Sequence, residues 1–383
     1  MHKSIIPLKI NIVKILQMEK KKNFYDLNFN ELKTFLIEEV GVDSDKVKMR
    51  AQQIFSAVYK KGVKNFNDLT TVTIELRKKL DDVLNLNLPK VIKTEISEDK
   101  TIKWLLELND ENKNLIEVVL IPSKSHNTIC VSVQVGCAMS KSSACIHCAT
   151  GTQLLVKNLS TSEIIMQMMV AKRYLNDFGD QRLIKNCVIM GSGESLTNYE
   201  NVKKFIKILM EPEGIHMGKK SITLSTIGIP DKIKKFADEV GVYLALSLHS
   251  GDNTKRNKII PINKKYPLKE VVDSCKYYSS VVKEKVFVEY TLMSGINDSA
   301  EDAKQLIKIM SQFPSKLNLI FMNTWSGCSI KPVSEENTNK FAQIVKNAGF
   351  IVTVRRSGGA SEKSLSGCGQ LRTTSLPKKR TFI

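Results

Sequence analysis

Hydrophobic positions along this chain follow two successive rhythms. From Asn23 to about Leu86 the spacing is helical. In DLNFNELKTFLIEEV, residues Leu32, Phe35, Leu36 and Val40 recur at intervals that place them on one helix face. Asn28 or Asn30 can cap this helix by accepting from its first free N–H groups. A second helix is predicted over Lys46 to Lys60, with Ala51, Ile54, Phe55 and Val58 on one side, and a third over Thr73 to Leu84. Polar breaks near Gly41, Gly62 and Asn67 separate them, and Pro89 closes the segment.

Beyond Pro89 the period drops to two. VIKTEIS, TIKWLLEL and LIEVVLIP alternate polar and apolar residues as strands do. From Ile129 onward strand, loop and helix repeat. Strands are predicted at Ile129 to Val135, Cys187 to Met190, Ser221 to Thr226, Tyr243 to Leu248, Val286 to Leu292, Leu317 to Met322 and Ile351 to Val354. Helical patterns fall between them at Thr161 to Tyr174, Tyr199 to Leu209, Ile229 to Val240, Pro267 to Tyr277 and Ala300 to Ser311. Six or more such units predict an α/β fold whose parallel sheet curves into an open or partial barrel. Chemistry then collects at the carboxyl ends of the strands.

Composition narrows the classes. A formal net charge of +19 favours a polyanionic partner, nucleic acid first; a Lys-rich surface from a compositionally biased genome accounts for the same number. Eight irregularly spaced cysteines do not make a disulfide scaffold, so a reducing cytoplasm is the default, and no apolar run is long enough to span a membrane. Residues 1–22 read as a disordered extension or a start placed too early. The expected organisation is then a helical accessory domain over 23–90, a strand-rich connector over 91–128, a core over 129–350 and a basic segment over 351–383. The last holds seven Lys or Arg against one acid, Glu362.

The densest chemistry lies in ICVSVQVGCAMSKSSACIHCATGTQ, Ile129 to Gln153, where Cys137, Cys145 and Cys148 share a small-residue loop behind a strand. Three thiolates can hold three irons of a 4Fe–4S cluster and leave the fourth iron open. A structural zinc wants four closed ligands, and His147, squeezed between two of these cysteines, is awkward as the fourth. Zinc and incidental thiols stay open on spacing alone. MGSGESLTN follows the next strand, with Gly191 and Gly193 allowing close backbone approach and Glu194 able to accept from an amine or ribose; it lacks the third glycine of a dinucleotide fingerprint. TLSTIG and LALSLHSG place Ser225, Ser247 and His249 at two further strand ends. Cys368 lies between Gly367 and Gly369, an exposed and movable setting for a thiol, and Arg355 and Arg356 before it would attract phosphate.

Together with IEVVLIP, CVSVQVGC, CATGTQ, RNKIIPINKKYPL, VEYTLMSGIND, LNLIFMN and GCGQL, these motifs resemble in content and order the RlmN and Cfr family of radical S-adenosylmethionine RNA methyltransferases, over roughly residues 20 to 372. The resemblance implies a radical-SAM partial (βα)6-type barrel with an N-terminal helical accessory domain. It implies a 4Fe–4S cluster on Cys137, Cys145 and Cys148, with S-adenosylmethionine held by Gly193, Glu194, Ser225, Ser247, Leu248, His249 and Asn323. It further implies that Cys368 carries the methyl group to be transferred. Cys130 would release the product as a disulfide forms with Cys368, and Glu117 would accept the ring proton. The implied target is C2 of an adenine in large-subunit rRNA, and in tRNA. The expected partners are those RNAs and an electron donor such as a flavodoxin-type protein, with no membrane, for a monomer. A non-catalytic RNA-binding relative and an enzyme methylating another adenine carbon are the competing readings.

The chain departs from the family pattern in three places. The family spaces its cluster motif CxxxCxxC, whereas AMSKSSA separates Cys137 from Cys145, so the insert is expected to bulge outward. Ser195 replaces the proline of GEP, and Ser192 stands where Met or Gln is usual. RRSGGASEKSLSG differs from the usual run before Cys368.

Overall fold

The computed structural model describes residues 21–179, 182–325 and 327–355. Cys368, Arg356 and the first twenty residues lie outside the described residues. The chain divides between Asn87 and Leu88 into two compact units.

In the first unit three helices, α1 (Phe29–Glu38), α2 (Val47–Tyr59) and α3 (Ile74–Val83), follow the apolar periodicity. Asn28, not Asn30, caps α1: its side chain accepts from the Glu31 N–H at 3.0 Å and the Glu31 carboxylate accepts from the Asn28 N–H at 2.9 Å, a reciprocal capping box. The core is aromatic. Phe24 packs within 6.0 Å of Phe55 and 5.9 Å of Tyr59, ring centre to ring centre. A short parallel pairing of Lys22–Asn23 with Leu84–Asn85 ties the unit's two ends together.

The second unit is built on one ten-stranded sheet whose strands lie in the order of the chain. β1 (Lys90–Ile96), β2 (Ile102–Glu107), β3 (Leu115–Pro122) and β4 (Asn127–Cys130) form an antiparallel meander. β5 (Ile184–Ile189), β6 (Ile222–Thr226), β7 (Tyr243–Ser247), β8 (Val286–Leu292), β9 (Ser315–Phe321) and β10 (Val352–Arg355) continue it in parallel, starting from β4. Crossover helices α4 (Thr161–Leu175), α5 (Tyr199–Met210), α6 (Pro230–Glu239), α7 (Asn253–Ile259), α8 (Leu268–Val282), α9 (Ala300–Met310) and α10 (Glu335–Asn347) complete the repeated strand–helix units. α5 shows the logic of these helices: Val202, Phe205, Ile206 and Leu209 are buried at helical spacing. Among the described residues no helix is long and apolar enough to cross a membrane.

The structure differs from the sequence reading at the strand that leads to the cysteine loop. It was expected to run from Ile129 to Val135, but the ladder ends at Cys130. Beyond it the Ser132 backbone is claimed by a side chain: Gln167 on α4 accepts from the Ser132 N–H at 2.8 Å and donates to the Ser132 carbonyl at 2.8 Å. Ser132 Oγ donates to the Glu117 carbonyl at 2.6 Å and accepts from the Ser192 N–H at 3.0 Å. Gln134–Val135 then leave the main sheet to pair with Lys157–Asn158. Gly136, at φ +82°, makes the next turn; a Cβ there would sit 2.0 Å from the Leu154 carbonyl oxygen, so only glycine fits. These contacts fix where the cysteine loop departs.

The Gln167 clamp is testable. In Gln167→Leu the buried Ser132 N–H and carbonyl both lose their partner, at roughly 1–3 kcal/mol each. Denaturant unfolding should show a total loss of about 2–6 kcal/mol with an unchanged slope.

Candidate active site at the carboxyl ends of the strands

Each carboxyl end from β4 to β7 is joined to the next strand by one polar side chain. Gln134, just past β4, accepts with Oε1 from the Ala138 N–H (3.0 Å) and the Glu194 N–H (3.1 Å), and donates with Nε2 to Thr197 Oγ1 at 2.9 Å. Glu194, past β5, accepts from Thr226 Oγ1 at 2.7 Å and from the Ile227 N–H at 3.0 Å, reaching the end of β6. Arg256 on α7 is fully buried, and its guanidinium donates to the carbonyls of Ile227, Ser247 and Leu248 and to Asn263 Oδ1, linking β6 to β7. His249, past β7, accepts on Nδ1 from the Thr291 N–H of β8 at 2.9 Å, which leaves the proton of the neutral ring on Nε2. Asn318 on β9 donates to Glu289 on β8 at 2.7 Å.

This frame encloses a cavity of about 290 Å³. Cys137, Cys145 and Cys148 line it, and so do Gly193, Glu194, Ser225, Ser247, His249 and Asn323, so most of the residues singled out in the sequence meet on one wall or another. Gly193, at φ +105°, lets the chain pass over Gln134: a Cβ would lie 2.6 Å from the Gln134 Cβ. Leu248 does not line the cavity; it is fully buried, with its carbonyl held by Arg256. Glu194 is placed as expected, yet its carboxylate already accepts from Leu196, Thr226 and Ile227, so it organises the loop as much as it faces a ligand. Burial raises its pKa against those hydrogen bonds.

The three thiols are raised chiefly by burial: Cys137 to about 12, Cys148 upward, and Cys145 further, the last with added repulsion from Cys148 and Cys137. They become thiolates only against a strong cationic centre. The insert between Cys137 and Cys145 does bulge outward, its Lys141–Ser143 turn exposing Lys141 and Ser142. The cysteines on either side are anchored independently, by the Ala138 N–H on Gln134 and by the Ile146 N–H donating to the Ile259 carbonyl at 3.2 Å. Among the described residues no three His, Cys, Asp or Glu side chains converge on one ion-sized point. Three cysteines that line one cavity wall, with no fourth thiol beside them in the described lining, are a donor set that fits a 4Fe–4S cluster with one iron left open.

Sequence reasoning missed several residues here. Arg256 and Gln134 were read only as parts of longer motifs, because a buried polar side chain leaves no periodic mark. His147 had been weighed only as a metal ligand. Its ring stands edge-on to His249, centres 4.3 Å apart, and burial holds its pKa down to about 4. Among the described residues its buried Nδ1 has no hydrogen-bond partner, nor has the buried indole Nε1 of Trp325, and both residues line the cavity. Departing residues are absorbed too: Ser192 accepts with its carbonyl from the Val133 and Gln134 N–H groups.

Glu117 and Cys130 lie apart from that lining, on β3 and β4, where Glu117 is buried and Cys130 partly so. Burial pushes the Cys130 thiol up to about 12; the Met190 N–H opposes this, Glu117 adds to it and Lys103 opposes it. All cysteines among the described residues are free, and the Cys130–Cys368 pairing falls outside them.

Comparison with known proteins agrees with this geometry. The radical SAM superfamily model matches residues 131–307, and the ribosomal RNA large subunit methyltransferase N-terminal domain matches residues 22–86. A dual-specificity RNA methyltransferase RlmN from Chelativorans sp. (strain BNC1) is 36% identical over 94% of this chain and 91% of its own. The chain belongs to the RlmN family of radical SAM RNA methyltransferases. Another RlmN protein, from Rhodopseudomonas palustris (strain BisB5), is 39% identical over 87% of this chain and 85% of its own. The crystal structure of a radical SAM methyltransferase from Sphaerobacter thermophilus superposes with a TM-score of 0.82 at 33% identity, covering 91% of this chain and 98% of that one. Enzymes of this superfamily use a 4Fe–4S cluster and S-adenosylmethionine, which suits the donor set above.

Arg256 gives the sharpest test of the frame. Lysine keeps the charge but cannot reach both strands with a fork of donors. Arg256→Lys should cost about 2–4 kcal/mol in chemical unfolding, and Arg256→Met more, because buried carbonyls are left without donors.

Proposed function

We propose that this chain methylates C2 of an adenine in large-subunit rRNA and in tRNA, through a methylated Cys368. The observation that carries this reading is the single cavity on which Cys137, Cys145 and Cys148 meet Gly193, Glu194, Ser225, Ser247, His249 and Asn323. The relatives from Chelativorans and Rhodopseudomonas are dual-specificity RNA methyltransferases, which supports two RNA substrates.

An adenine ring carbon is not a nucleophile, and a 4Fe–4S cluster with S-adenosylmethionine supplies, when bound, the one-electron chemistry that such a carbon requires. Cys137, Cys145 and Cys148 would hold that cluster. Ser225, Ser247, His249, Asn323 and the Gly193–Glu194 turn would orient S-adenosylmethionine, while Leu248 keeps its backbone bonded to Arg256 and Glu289 behind that wall. The strand-end links exclude water and keep this wall rigid. Cys368 accepts the methyl group, Glu117 takes the ring proton, and Cys130 attacks the Cys368 sulfur to free the product. The net charge of +19 favours an RNA partner whose target base is splayed out of its stack. A flavodoxin-type donor, a monomeric state and a reducing cytoplasm complete the proposal.

Two measurements test it. Anaerobically reconstituted protein should hold iron and absorb in the visible, and Cys145→Ala should lose both. Nucleosides from cells lacking the gene should lose 2-methyladenosine, provided no second family member is present. An unchanged level would sink the proposed activity, and iron-free protein that still binds RNA would point to a binding relative.

A further inference from the structure

The residues that lengthen the cysteine loop, Ser140 to Ser143, take no part in the frame at the strand ends. Their backbone bonds are local, from the Ser143 N–H to the Ser140 carbonyl and from the Ala144 N–H to the Lys141 carbonyl. Met139 before them and Cys145 after them line the cavity, and none of Lys141, Ser142 and Ser143 is buried, so the insert stands at the cavity's rim. Its Lys141–Ser143 turn lies against the Pro261–Lys264 turn, with Cα atoms within 8 Å. Two contacts keep the turns together. The Ile146 N–H donates to the Ile259 carbonyl at 3.2 Å, and Cys145 and Ile262 pack on the cluster that holds Ile259 and Ile260. Lys141 and Lys264 are exposed on these turns, and Lys258 is exposed on the last turn of α7.

The charge at this rim is one-sided. No Asp or Glu occurs between Glu117 and Glu163, nor between Asp252 and Glu270. Nearby acids are already engaged: Asp252 caps α7, Asp302 pairs with Lys255 at 2.7 Å and Asp273 with Lys269 at 2.8 Å. Among the described residues Lys141, Lys258 and Lys264 have no carboxylate partner. A Lys-rich composition alone does not account for this, because lysines elsewhere on the surface are matched, as Lys203 and Lys235 are by Glu200 and Glu239. Unmatched cations beside a cavity mouth concentrate a positive field there.

Resting on the RNA substrate proposed above, we propose that the lengthened loop is a docking point for that RNA. Lys141 and Lys264 hold a backbone phosphate of the strand whose base enters the cavity. A base drawn into a buried site leaves its phosphates outside, since burying unpaired charge is costly. The phosphate then meets ammonium groups that folding has left unmatched. Lysine suits this role as a mobile point charge with three donors, able to follow strands of different course. The loop can carry such a contact without moving the thiols, because Cys137 and Cys145 are anchored from either side of it.

The test uses the full-length, anaerobically reconstituted enzyme, dithionite as reductant and a protein-free large-subunit rRNA transcript. It compares Lys141→Asn, Lys264→Gln, the two together, and a deletion of Ser140 to Ser143 that leaves Ala138, Met139 and Ala144 between Cys137 and Cys145. Asparagine accepts the left-handed backbone that Lys141 holds at φ +59°. Iron content and cleavage of S-adenosylmethionine without RNA should stay within about twofold in every variant. The Kd for the transcript should rise about 3- to 10-fold in each, and the slope of log affinity against log salt should flatten by about 0.7 to 0.9 for the lost phosphate contact. The paired substitution should lose less than the product of the single effects, because the two lysines share one phosphate. KM for the transcript should rise while kcat holds. An unchanged Kd and slope in Lys141→Asn overturns the inference, and so does weaker binding at an unchanged slope. A deletion that loses iron and RNA together beside an unaffected Lys141→Asn also overturns it, by giving the insert a purely structural role. Methylation that falls only when a flavodoxin-type protein replaces dithionite assigns the lysines to an acidic protein and overturns it as well. Wild-type enzyme that binds no transcript takes down the RNA reading itself, whereas wild-type binding with indifferent variants takes down the rim contact alone.

Discussion

One constraint governs the molecule: buried polar groups at the ends of a parallel sheet must be paired with each other. The carboxyl ends of β4 to β8 leave carbonyls and N–H groups pointing into a space that water does not freely fill, and each unpaired group is costly. Gln134, Glu194, Arg256 and His249 meet this demand by spanning adjacent strand ends, with the Asn318–Glu289 bond continuing onto β9. Each link takes donors from one turn and acceptors from the next, so no turn can shift without stranding a neighbour's partner. Such a coupled arrangement is stiffer than the same bonds made separately.

Stiffness here serves chemistry. A reactive intermediate must meet its target atom and little else, and small misplacements weigh heavily on the rate. The frame spends many of its polar atoms on itself, as the three donors already on the Glu194 carboxylate show. What it leaves over is specific: His147 Nδ1 and Trp325 Nε1 are buried in the cavity lining with no partner among the described residues. A ligand gains most by pairing with such atoms, because the cost of burying them has already been met by folding.

The apolar pattern made the architecture readable. Strands at Val286 to Leu292 and helices such as α4 follow directly from residues that alternate or recur on one face. α7 had no such signal: NTKRNKI is polar but for the buried Ile259 at its end, and it folds because Arg256 is drawn into the frame and Asp252 caps it. α10 did carry one, since Thr338, Phe341, Ala342 and Val345 are buried at helical spacing behind the Ser334 cap, but its polar majority masked it. The same limit applied at the site. Cysteines, glycines and strand-end serines stand out by residue type and spacing, whereas Gln134, Gln167 and Arg256 matter only through long-range partners that no local window reveals.

The lengthened cysteine loop is best understood through that frame. If the spacing of Cys137 and Cys145 depended on the residues between them, the insert would spread the two thiols apart. It does not depend on them. Cys137 is set from behind, by the Gly136 turn and by Gln134 accepting from Ala138. Cys145 is set from the other side, by the Ile146 bond to Ile259 and by packing against Ile259, Ile260, Met293 and Met322. Met139 turns inward to line the cavity while Lys141 and Ser142 go to solvent. A loop whose two ends are fixed elsewhere can lengthen at small entropic cost. What holds the candidate ligands is therefore the surrounding sheet, and the number of residues between them is the least constrained feature of the site.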